Sequence, residues 1–160
     1  MDQPKPNKIT DEKVGLTKAE NYCAYQERSQ QEVRDKLYEW GLYPTQVENI
    51  ITRLIESNFL NEARFAVAYA TGKFRQKGWG KVKIKQGLKL KKVSEPLIKK
   101  ALNSIDGDDY LQMLTRVIEK KAVLIKEKEP YKRRYKLQQY AMSRGFEGDL
   151  IADVLKEMVD

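Results

Sequence analysis

Between Ala63 and Ser94 the chain carries Lys73, Arg75, Lys77, Lys81, Lys83, Lys85, Lys89, Lys91 and Lys92, along with Arg64, and no acidic residue at all. Cations crowded in this way repel one another, which costs stability unless an anion is to be met. Ammonium and guanidinium groups grip phosphates and carboxylates. The segment therefore fits nucleic-acid phosphates or an acidic protein groove; the plain alternative is a merely solvated face. The excess is local. Residues 58–105 hold 12 basic and 2 acidic groups, whereas 1–57 hold 8 and 10, and 106–160 hold 11 of each. The middle third thus supplies all of the net charge of +8.

A second basic run is Tyr131-Lys132-Arg133-Arg134-Tyr135-Lys136, whose acidic surroundings make it the weaker signal. Aromatic side chains among cations can stack on bases. Tyr131 and Tyr135 lie in such company; Phe74 reads better as packing between helices, and Trp79, flanked by Gly78 and Gly80, fits either role. Catalytic constellations are missing. There is no histidine and a single cysteine, which removes the usual general base, the usual zinc sites and any intrachain disulfide. No phosphate-binding glycine loop occurs. Asp108-Asp109 reads as charge at a helix N-terminus rather than a metal site, and Cys23 as a small buried hydrophobe. We expect no cofactor, no metal and no enzymatic activity.

The elements that hold these residues are helices. Val47, Ile50, Ile51, Leu54 and Ile55 follow the i, i+3, i+4, i+7, i+8 spacing of one helix face. A shift of 51 gives Ile98, Ala101, Leu102, Ile105 and Asp106; a shift of 104 gives Ile151, Val154, Leu155, Met158 and Val159. A shorter helix precedes each, with Val33, Leu37 and Trp40, then Ile84 and Leu88, then Leu137 and Ala141. A period near 50 residues predicts an all-α, elongated array of three tandem three-helix repeats, a form that offers long surfaces to partners. We place a disordered tail at 1–14, repeat 1 at 15–58, the basic repeat 2 at 59–106 and repeat 3 at 107–160.

Local signals set the ends. Helix 1 is expected from Leu16 or Thr17 to about Arg28. Ser29 to Glu32 reads as a capping box, Gly41 and Gly145 as left-handed stops, and Asn61 and Ser94 as N-caps. On a helix over 81–92, at about 100° per residue, Lys81, Lys85, Lys89 and Lys92 form one stripe beside the buried Ile84 and Leu88. Lys83 falls elsewhere, and Lys91 lies at the apolar edge. Gly87 costs about 1 kcal/mol relative to alanine there, so the helix is either marginal or closely packed. No apolar run approaches a membrane span and no secretory signal is visible, which predicts a cytoplasmic protein without a membrane partner.

Three segments and a closing motif resemble the RecX family of bacterial recombinase regulators. They are Arg28 to Leu37 with Trp40-Gly41, Phe59 to Ala66, Gly80 to Val93, and Arg144-Gly145-Phe146. The resemblance covers about residues 17–158. The chain departs from the family where Gly87 replaces the usual glutamate and Lys92 the usual glycine. The resemblance implies three tandem three-helix units that bind the groove of the RecA filament on single-stranded DNA. It also implies suppression of RecA ATPase, strand exchange and coprotease activity, and hence roles in DNA repair, recombination and the SOS response. We expect a monomer that contacts its partner first through Lys81, Lys85 and Lys89, then through Arg75, Lys77 and Lys92. Lys73, Lys83, Lys132, Arg133, Arg134 and Lys136 are further candidates; Arg64 and Phe65 read as structural. The alternative is a stand-alone nucleic-acid-binding helical module without a recombinase partner.

Overall fold

The computed structural model describes residues 8–158. Among these there are nine helices and no strand: α1 (Glu12–Tyr25), α2 (Gln30–Glu39), α3 (Pro44–Glu56), α4 (Glu62–Lys77), α5 (Lys81–Leu90), α6 (Glu95–Asn103), α7 (Gly107–Leu124), α8 (Pro130–Ser143) and α9 (Gly148–Met158). They fall into two compact units. One runs to Ala66 and includes Lys91–Val93; the other holds Val67–Leu90 and the chain from Ser94 onward. The second unit thus gathers the greater part of α4 with α5 to α9.

In the first unit α1, α2 and α3 pack pairwise around Ala19, Cys23, Val33, Leu37, Val47, Ile50 and Leu54. A fully buried leucine or isoleucine of this kind contributes about 1.5–3 kcal/mol. Helix α1 begins at Glu12, capped by the Asp11 carboxylate, which accepts from Lys13 N at 2.9 Å. Ile9 N donates to the Trp40 carbonyl at 2.8 Å. The expectation of a tail over 1–14 therefore gives way to ordered chain from Ile9 onward, and its first seven residues lie outside the described ones. Half of the expected capping box forms. Ser29 Oγ accepts from Glu32 N at 3.0 Å, while the Glu32 carboxylate meets Lys91 Nζ at 3.4 Å. Arg64 has the structural role read for it. Its guanidinium donates to Glu27 at 2.5 Å and to the Asn58 carbonyl at 3.1 Å, tying the end of α3 to the start of α4. Burial pushes the Cys23 thiol up to about 11, so it stays protonated and inert.

The second unit is organised by a backbone joint. Gly80 N donates to the Arg144 carbonyl and Val82 N to the Gly145 carbonyl, both at 2.9 Å. A Cβ on Gly80 would lie 2.3 Å from the Gly145 carbonyl, and Gly145 itself sits at φ +97°. Only two glycines allow that approach. Tyr110 from α7 seals it: its hydroxyl accepts from Lys81 N at 2.9 Å and donates to the Glu147 carboxylate. Its ring lies tilted against those of Phe74 and Phe146, with centroids 5.9 and 5.3 Å away. Phe74 is therefore a packing residue, as read from the sequence. The α7 cap is Asp106, which accepts from Asp109 N at 3.0 Å. Asp108 and Asp109 occupy the first turn instead of capping it. Ser94 stands at the N-cap position of α6 without a side-chain cap bond. Gly87 proves closely packed, since a Cβ there would lie 2.0 Å from the Tyr69 hydroxyl.

Two predictions follow from the joint. Gly80→Ala should cost about 3 kcal/mol, the upper part of the overpacking range, because backbone rather than a pliable side chain blocks the methyl; the urea midpoint measures it. The second concerns pH. Burial first, and the hydrogen bond to Glu147 second, hold the Tyr110 phenol above its ordinary range. The unfolded chain then loses this proton near pH ~10 while the native chain keeps it. The resulting stabilisation is complete below that pH and is lost as pH rises beyond it. Urea stability between pH 9 and 11 should fall more steeply in wild type than in Tyr110→Phe, by up to about 1.4 kcal/mol per pH unit.

Candidate functional site

Helix α5 has no acidic residue in its first turn, and Lys81 and Lys83 place positive charge at the end of a helix that favours anions. It begins there because its free N–H groups are already taken. Gly80, Lys81 and Val82 donate to Arg144, Tyr110 and Gly145, which discharges three of the four donors that a helix N-terminus leaves over. Ile84 and Leu88 are fully buried below, so the lysines are held on the surface side by packing.

The expected stripe divides. Lys85 Nζ and Lys89 Nζ lie 3.9 and 3.4 Å from the two oxygens of Glu95, an exposed carboxylate. Exposed pairs of this kind contribute only about 0.2–1 kcal/mol, so both lysines can exchange Glu95 for a better anion. Lys81 is half-buried, with Nζ 4.9 Å from the Tyr110 ring. Lys92 leaves the stripe, because α5 ends at Leu90 and Lys92 adopts φ +60° in the turn beyond it. That left-handed position favours glycine. Lys83 Nζ and Lys73 Nζ lie 4.6 and 4.9 Å from the Trp79 ring, so that indole is engaged within its own unit.

Arg75 and Lys77 stand exposed at the end of α4. Lys132, Arg134 and Lys136 are exposed on α8. Beside Tyr131 and Tyr135, Lys132 and Lys136 line a shallow groove of about 540 Å³ that also takes in Glu127. Arg133 turns inward: its guanidinium donates to the carbonyls of Ala122, Ile125 and Glu127. It closes the end of α7. Sequence reasoning missed Arg116, Lys120 and Arg144, which the fold brings beside Arg75 and Lys77. The i, i+4 spacing of Arg116 and Lys120 was visible, but their neighbours on α4 were not. Among the described residues no group of three or more acids or cysteines forms a metal-binding cluster, and no helix is long and apolar enough to cross a membrane.

Three family models match in order along the chain: the first three-helix domain of RecX over residues 16–54, the second over 61–102 and the third over 108–155. A regulatory protein RecX of Bacillus licheniformis is 32% identical over 149 residues, covering 92% of this chain and 56% of that protein. One from Clostridium perfringens is 31% identical, with 83% of this chain and 63% of that protein covered. The chain thus spans little more than half the length of these relatives. It is also 30% identical to the regulatory protein RecX of Haemophilus influenzae strain PittGG, over 84% of this chain and 88% of that one. The crystal structure of RecX from Lactobacillus salivarius shares the fold, with a TM-score of 0.84 at 24% identity over 92% of this chain and 96% of that one. Three domain matches in the family's own order, carried on nine helices, place this chain in the RecX family.

Proposed function

We propose that the chain is a non-enzymatic regulator of the RecA recombinase. In this reading it lies along the groove of the RecA filament on single-stranded DNA and suppresses ATPase, strand exchange and coprotease activity. The carrying observation is the run from Lys73 to Lys89, which holds no acidic residue and in which Lys85 and Lys89 pair, among the described residues, with the exposed Glu95 alone. Lys85 and Lys89 are the first contacts, with Arg75 and Lys77 beyond them. Lys81 contributes charge at closer range to the joint. Membership of a family whose relatives are named regulatory proteins supports this reading.

The test is RecA ATPase on single-stranded DNA, titrated with this protein. Wild type should inhibit. Lys85→Glu/Lys89→Glu should need at least about tenfold more protein, since like charge would now face the partner. Glu95→Gln should inhibit at about twofold lower concentration, because it frees both lysines from an exposed pair. No inhibition by wild type would end the regulatory reading. Equal potency of the three proteins would end the role of this face. Tight, salt-steep binding to bare DNA with RecA unaffected would favour a stand-alone nucleic-acid module.

A further inference from the structure

A small cavity in the second unit is lined by Arg75 and Lys77 of α4, Arg116 and Lys120 of α7, and Arg144 at the end of α8, with no carboxylate among its lining residues. Its volume is about 260 Å³, below the roughly 300–1,000 Å³ of small-molecule pockets; it suits a group rather than a whole ligand. None of the ion pairs among the described residues uses any of these five cations. Arg144 Nη2 donates to the Lys77 carbonyl, which fixes the guanidinium, yet Arg144 Nε is buried and has no hydrogen-bond partner. A buried donor without an acceptor is costly and rare.

Helix ends account for part of this cluster. Arg75 and Lys77 close α4, and Arg144 stands at the C-cap of α8, where cations offset the helix dipole. That reason fails for Arg116, in the middle of α7, and for Lys120, which lies before its last turn. Five like charges brought together at a concave site, one of them with an unused buried donor, want a compact polyvalent acceptor. We infer that this cavity is a binding site for one phosphate group of a single-stranded nucleic-acid backbone, with the Arg116 and Arg144 guanidinium groups as its principal donors. Guanidinium groups suit phosphate oxygens by their planar fork. Arg75 and Lys77 also join the site to the acid-free surface, so a strand seated in the cavity continues across like charge. The site stands whether or not a recombinase is the partner.

The test uses the full chain. The Nε–Hε signal of Arg144, followed by nitrogen-15 NMR, should shift on addition of inorganic phosphate and again with a thymidine oligonucleotide. By fluorescence anisotropy, Arg116→Gln/Lys120→Gln should bind that oligonucleotide about tenfold more weakly. Its log–log salt slope should be shallower by about 0.7, the value for one phosphate on a single strand. Both replaced residues are away from the joint, and unaltered thermal unfolding checks that the fold is kept. An Arg144 signal that ignores both probes would overturn the assignment. So would a signal that moves with phosphate alone while oligonucleotide affinity and slope match wild type. A shift with poly-glutamate and none with the oligonucleotide would overturn it in favour of a protein carboxylate.

Discussion

A helix that starts with Lys81-Val82-Lys83 and carries no acid in its first turn has its own dipole against it. What lets it form is the capture of its leading N–H groups by another part of the same unit. Gly80 and Val82 donate to the carbonyls of Arg144 and Gly145, and Lys81 N donates to Tyr110. The capture needs backbone to touch backbone, and that needs glycine at both 80 and 145. Removing the acids from this segment is therefore compatible with folding, because the joint does the work that an aspartate cap does for α1 and α7.

The same joint ties charge to position. Arg144 gives its carbonyl to Gly80 and its guanidinium to Lys77, so one residue holds the start of α5 and the end of α4 at once. The end of α4, α5 and α7, which carry these cations, are thereby held within one body. The neighbouring Phe74, Tyr110 and Phe146 rings exclude water beneath this surface.

Much of this was legible in the sequence, for physical reasons. The repeated i, i+3, i+4 pattern finds the buried faces of α3, α6 and α9, because burial needs that spacing whatever the neighbours are. Gly41 and Gly145 announce left-handed stops, and both adopt φ +97°. What escaped depends on contacts distant in sequence. The stripe read from helical angles ignores that Lys85 and Lys89 share Glu95 and that α5 stops at Leu90. Asp106, the one polar member of the repeated pattern, turns out to be a helix cap. Arg133 looks like an exposed member of a basic run, and only the fold shows that it donates to the carbonyls of Ala122, Ile125 and Glu127. The cavity gathers residues from 75 to 144, and no local pattern could have joined them.

Amide hydrogen exchange at Gly80, Lys81 and Val82 is the most direct measurement of the central claim. If the joint is what holds the cationic helix, these amides should exchange only with the cooperative opening of the whole second unit, as slowly as Leu114 and Ile118 in the core of α7. Rapid exchange at all three while α7 stays protected would contradict the account.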